Sequence, residues 1–326
     1  MGRRFLHSIA QPTVDLAASV SITPFDLPVN PLSFLLLRFQ ITNTAPAAIL
    51  TYSAIDDVIT QITGVRVLHK GEQIISGNLR DLMVLNAVYQ HAFPGWAGLD
   101  NVDDAVRSLV FPICLGKRMY DPVSCFPATT RGNLRFEMDA GADGAGYDDI
   151  NFSVETVELI ESDPTEYVKY VRQARDSVAG QFDASLPIGN PLLGILLFDT
   201  GIATLSTEST SWGTIKLLKD NVEQYYPQSD FETLAGMLKT QQGSSVGLFA
   251  GHQHLTSEGA GAELISDDME QRISTGDRGY AYLDFDPLRD GSYEMETAGA
   301  ADLKIRGQGD AAAAIRYYPI ERVSPR

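Results

Sequence analysis

Phe25-Asp26-Leu27-Pro28-Val29-Asn30-Pro31-Leu32 runs into a leucine-rich stretch, and Phe182-Asp183-Ala184-Ser185-Leu186-Pro187-Ile188-Gly189-Asn190-Pro191-Leu192 runs into another. The two asparagines lie 160 positions apart. Self-similarity at a long, nearly fixed offset marks a duplicated structural unit. Further pairs follow in the same order. Val65-Arg66-Val67-Leu68 matches Ile215-Lys216-Leu217-Leu218, and Leu79 and Leu82 match Phe231 and Leu234. Gly132-Asn133-Leu134-Arg135-Phe136-Glu137-Met138-Asp139 is set against Gly279-Tyr280-Ala281-Tyr282-Leu283-Asp284-Phe285-Asp286. Val157-Glu158-Leu159-Ile160 and Ile315-Arg316-Tyr317-Tyr318 agree in pattern only. Each half therefore reads strand, strand, helix, long loop, strand, terminal strand.

The segments themselves are β-like: short, and bounded by Gly, Pro, Asn and Asp. The first half offers 34–42, 64–69, 108–115, 133–139 and 151–160. The second offers 192–199, 214–219, 280–286, 302–306 and 314–320. Leu134, Phe136 and Met138 alternate with Arg135 and Glu137, the pattern of a strand with one buried face. The strand at 151–160 alternates less cleanly and is expected to be buried on both faces. Two helices are predicted. One follows Asn78 as N-cap; the other follows Ser229 with Glu232 three residues on, the capping-box spacing. Residues 165–175 read as a helix or as a strand at the junction. Nothing alternates βαβ, which argues against a nucleotide-binding parallel sheet. The fold class is all-β: two tandem jelly-roll β-sandwiches, each with one short helix in a connection. The expected divisions are an N-terminal arm over 1–24, a first jelly roll over 25–162 and a second over 163–326, with Asp163-Pro164 at the joint.

Composition narrows the function. The 326 residues carry 25 Lys and Arg against 42 Asp and Glu, a net charge of −17. Coating nucleic acid requires clustered cations, so direct nucleic-acid binding is not expected. Two cysteines, Cys114 and Cys125, give no disulfide framework and fit a reducing compartment. The N-terminus has Arg3 and Arg4 but no apolar stretch of a secretory leader, so export through a cleaved signal is not expected. No run of 18 apolar residues is present to span a bilayer.

Two jelly rolls in tandem, led by Asn30-Pro31-Leu32 and Asn190-Pro191-Leu192, resemble the double jelly-roll major capsid proteins of tailless icosahedral phages with an internal membrane, such as the tectiviruses and corticoviruses. The resemblance runs from Phe25 to the end and rests on architecture and size. It implies a structural protein without catalytic activity or cofactor. Three copies would form a homotrimer of pseudo-hexagonal outline that tiles an icosahedral virion shell. The implied partners are neighbouring capsomers, penton and minor capsid proteins, and an internal lipid membrane near the N-terminal arm, with Arg3 and Arg4 facing it. Two arginines near an anionic bilayer contribute about 1 kcal/mol each. Synthesis in the host cytoplasm and residence in the virion follow. Residues 92–131 and 240–278 are the expected outward loops.

Several patterns carry possible chemistry. Gly243-Ser244-Ser245-Val246-Gly247 has the nucleophile-elbow form but lacks the parallel strand-to-helix setting that the elbow needs. His252 and His254 have the spacing of two metal ligands on one strand face. Asp139, Asp143, Asp148 and Asp149 crowd a glycine-rich bend of the kind that suits calcium, without the closing Glu of an EF-hand. The alternative function is a two-domain β-sandwich enzyme, carbohydrate-active or amide-hydrolysing, or a glycan-binding protein. That reading needs aromatic and carboxylate groups converging in one groove.

Overall fold

A computed structural model describes residues 4–16, 21–43, 58–59, 61–91, 95–97, 104, 106–141, 147–199, 209–241 and 279–325. They divide into two compact units, one up to Tyr167 and one from Val168.

The first unit contains β1 (Arg4–Asp15), β2 (Ser21–Asp26), β3 (Leu32–Asn43), β4 (Ile62–His69), β5 (Glu72–Gly77), α1 (Leu79–Gln90), β6 (Gly95–Ala97), β7 (Val106–Cys114), β8 (Leu134–Ala140) and β9 (Tyr147–Ile160). One sheet has the order β1-β9-β3-β7-β6; the other run is β5-β4-β8-β2. All pairings within the two runs are antiparallel. The chain thus passes back and forth between two sheets, the jelly-roll winding. Inner faces meet through Phe39, Phe152 and Phe136, with ring centroids 5.3 and 6.1 Å apart. β8 shows the expected alternation, Leu134, Phe136 and Met138 in and Arg135 out. β9 is buried on both faces. Phe152 and Val154 face the core, while Val157 joins Phe34 and Cys114 in a small apolar cluster.

The second unit contains β10 (Tyr167–Val171), β11 (Gln173–Asp176), β12 (Gly180–Ser185), β13 (Leu192–Phe198), β14 (Thr214–Lys219), β15 (Val222–Glu223), β16 (Ser229–Asp230), α2 (Phe231–Gln241), β17 (Tyr280–Asp284), β18 (Leu303–Gly309) and β19 (Ala314–Val323). Its runs are β17-β13-β19-β10, with β11 also on β19, and β12-β18-β14-β15, with β16 on β14. This is the winding of the first unit repeated: β10 and β11 stand for β1, β12 for β2, β13 for β3, β14 for β4, β15 for β5, β17 for β7, β18 for β8 and β19 for β9. The fold class and both helices agree with the sequence expectation. The core is one apolar cluster around Trp212, to which Ile195, Leu217, Leu283 and Ile305 contribute.

Duplication reaches the turns. The β4–β5 hairpin turns on Lys70 and Gly71, at φ 52° and 84°, and the β14–β15 hairpin on Asp220 and Asn221, at φ 53° and 63°. Two successive positive φ angles make the turn that matches strand twist. Lys70 N donates to Asn133 O at 2.7 Å, and Asp220 N to Asp302 O at 2.8 Å.

Several expectations are corrected. Within the segment expected as an N-terminal arm, residues 4–15 form β1 and hydrogen-bond along β9. Of the two readings of residues 165–175 the strand holds, as Tyr167–Val171 and Gln173–Asp176. The span 92–131 is not one loop, since β7 is an inner strand of its sheet. The counterpart of 134–140 is β18, not 280–286, and the counterpart of Val157–Ile160 is 320–323, not 315–318. Asn78 does cap α1, its Oδ1 accepting from Asp81 N at 2.8 Å. At α2 the Glu232 carboxylate accepts from the Ser209 amide instead of closing a box on Ser229.

Candidate functional site

Asp139, Asp149 and Arg4 are the sequence-predicted site residues whose side chains lie among the described residues. Asp139 is an ion-pair partner: its Oδ1 accepts from Ser21 Oγ at 2.7 Å and its Oδ2 meets Arg66 Nη1 at 2.6 Å. The Arg66 guanidinium holds the Asp139 carboxyl below the usual carboxylate range. Asp149 is exposed and takes Asn151 Nδ2 at 3.3 Å. Asp143, the side chain of Asp148, His252, His254, the Gly243–Gly247 stretch and Arg3 lie outside the described residues. Arg4 is exposed at the start of β1, 3.4 Å from Glu161. Among the described residues no three His, Cys, Asp or Glu side chains are grouped to hold a metal ion. Cys114 and Cys125 are buried and not disulfide-bonded. Burial pushes both thiols up, Cys125 to about 12.

A shallow concavity of about 210 Å³ lies on the β12-β18-β14-β15 run, lined among others by Gln181, Lys216, Glu223, Arg306 and Gln308. Its charges are spent on neighbouring charges. Lys216 Nζ is 2.9 Å from Glu223 Oε1, and Arg306 donates from Nε and Nη2 to both Asp183 oxygens at 2.6 and 2.9 Å. Such cross-strand pairs stabilise strand register.

The geometry that does recur is a clasp at the lead-in to the third strand of each unit. In the first, Asn30 Nδ2 donates to Glu158 Oε2 at 2.7 Å, Leu159 N donates to Pro31 O at 2.7 Å, and Leu32 and Phe126 exchange both backbone bonds at 2.9 Å. In the second, Asn190 Nδ2 donates to Glu321 Oε2 at 2.9 Å, Arg322 N to Pro191 O at 2.9 Å, and Leu192 and Met295 exchange bonds at 2.9 and 3.0 Å. Both glutamates are buried, and each needs a donor there. The repeated Asn-Pro-Leu marks the asparagines in the sequence; it does not mark their glutamates. An acid opposite Asn-Pro in the last strand of each half is the signal that could have found them. The clasp fixes backbone; it offers nothing to a substrate.

No family model matches the chain, and no curated protein matches it. Solved structures do. The major capsid protein of bacteriophage PM2 aligns over 99% of this chain and 98% of its own, at 12% identity and a TM-score of 0.59. The atomic structure of Sulfolobus Turreted Icosahedral Virus aligns over 98% of this chain and 91% of its own, at 13% identity and a TM-score of 0.67. The PBCV-1 virus capsid aligns over 99% and 94%, at 10% identity and a TM-score of 0.59. The chain has the double jelly-roll fold of viral major capsid proteins. The tandem winding is the feature that anticipates it, and the alignments span both units.

Proposed function

We propose that this double jelly-roll chain is a major capsid protein of an icosahedral virus. The observation that carries the reading is that a whole duplicated architecture, both windings in order, aligns end to end with capsid proteins. Three copies cluster into a capsomer, each giving two similar sandwiches, so the outline has six near-equal sides and tiles among hexagonal neighbours. Such a shell encloses an internal membrane, with Arg3 and Arg4 supplying positive charge toward lipid. Neighbouring capsomers, penton and minor proteins are the partners, and the acidic body keeps off nucleic acid. The work is mechanical: rigid blocks repeat weak contacts that symmetry multiplies. Native mass spectrometry of the purified chain tests this. Trimers and larger assemblies are expected; a clean monomer at every concentration would overturn it.

A further inference from the structure

The two helices answer each other in the repeat, yet only one is covered. In α1 every residue from Asp81 to Tyr89 is buried. A helix that is apolar all round belongs inside a structure. Leu79 and Leu82 answer Phe231 and Leu234, so Val84 and Leu85 answer Gly236 and Met237. Val84 and Leu85 are buried; Gly236 and Met237 are exposed, Met237 to 46%, and so is Thr233 on the turn before them.

The sheets show the opposite asymmetry. In the second unit, the face of β17-β13-β19 turned away from the Trp212 core carries Leu196, Phe198, Tyr280 and Tyr318, all buried within the chain. Tyr280 lies opposite Phe198, and Tyr318 opposite Leu196. Leu36 answers Leu196 at the offset of 160 that relates Asn30 to Asn190, and Arg38 answers Phe198. Val110, opposite Arg38, then stands where Tyr280 does, and Glu155, opposite Leu36, where Tyr318 does. These four first-unit side chains are only half-buried. Ile9, opposite Glu155, and Val106, opposite Thr42, extend the same face and are 66 and 51% exposed.

Each kind of face is thus covered once within the chain and left open once. We propose that the open side of α2, at Thr233, Gly236 and Met237, packs on the outer β1-β9-β3-β7 face of a second copy, at Ile9, Leu36 and Val110. The inference rests on the capsid reading and names the contact that holds its three-copy cluster. The duplication selects the occupant: the open helix repeats a covered one, the open sheet face repeats a covered one, and a second copy of this chain brings each the other. A Cβ on Gly236 would meet nothing within 4 Å, so a partner can approach the helix backbone closely. Arg38 and Glu155 place charge among the apolar side chains of the sheet face, the mixed polarity of a contact made between soluble chains. Because the two surfaces differ, the contact is heterologous and closes as a ring.

The test uses the full chain and native mass spectrometry. Met237→Lys on one surface, and Ile9→Lys with Val106→Lys on the other, are each expected to lower the trimer fraction about tenfold or more. Leu288→Lys, at an exposed site outside both surfaces, should leave it unchanged. All four side chains are exposed, so the circular dichroism of the monomers should not move. A second measurement weakens nothing: Met237→Cys and Ile9→Cys chains are treated with a flexible dimaleimide, each alone and mixed before assembly. Cross-linked pairs are expected in the mixture only. Trimers that persist in both Lys variants, a control that loses them equally, cross-links in Met237→Cys alone, or none in a mixture that trimerises would each overturn the proposal while leaving the capsid reading in place. A wild type that never associates overturns both.

Discussion

The Nδ2 of Asn190 donates to the buried carboxylate of Glu321 at 2.9 Å, across 131 residues of chain. Removing the donor strands an acid in the core. Asn190→Ala is expected to destabilise the second unit by about 1.5–3 kcal/mol, the range for bonds to charged groups. Asn30→Ala should cost less, because Glu158 keeps a second donor in Ser8 Oγ at 3.2 Å. Urea denaturation of each variant measures the difference. Equal losses, or none, would show that the clasp is incidental.

Acid should weaken the fold through Asp183. Its carboxyl lies below the ordinary carboxylate range, chiefly because Arg306 hydrogen-bonds to it. A depressed carboxylate binds its proton less readily in the folded state than in the unfolded one. The stability it supplies is complete above the unfolded value, about 3.9, and is lost as pH falls through the folded value. Asp139 beside Arg66 follows the same sign. Stability should therefore be insensitive to these groups from about pH 7 to about pH 5 and fall below about pH 4. Asp183→Asn should cost about 0.5–1 kcal/mol at neutral pH, since the pair is partly exposed, and flatten the acid limb. Circular dichroism against pH at fixed ionic strength reads both.

Phe136 is fully buried between Phe25 and Phe152, with ring centroids 5.2 and 6.1 Å away. Phe136→Asp would place an unpaired charge there and should unfold the first unit, a loss above about 4 kcal/mol. Leu134→Asp should do the same. A cooperative transition in proteolysis or hydrogen exchange confined to residues before 168 is the expected signature.

Cys114 and Cys125 should react with a thiol reagent only after unfolding. Both are buried, and burial raises their thiols well above the pH of the assay. Two thiols should be counted in denaturant and essentially none without it. Rapid labelling of the native chain would place the 115–126 segment in motion.

The strands that are legible in the sequence are those with a wet and a dry face, such as Leu134–Ala140, or a continuous apolar run, such as Leu192–Phe198. β1 is illegible for a physical reason. None of its residues is buried, so no two-residue rhythm is written into it, and only pairing with β9 makes it a strand. The duplication is visible, but its later alignment is not. The offset is 150 from β4 to β14 and 169 from β8 to β18. Glycine followed by alternating residues at 279–284 imitates the wrong strand. Glu158 and Glu321 are hidden for another reason: in a chain with 42 acids, two buried ones carry no mark of burial.

The doubled exchange between Leu32 and Phe126, and between Leu192 and Met295, is made wholly by main chain. Peptide groups are common to every amino acid, so mutation can change nearly any side chain beside them without erasing the bond. An architecture anchored this way can outlast its own spelling. This chain's coordinates align over nearly the whole of solved structures with which it shares about one position in eight.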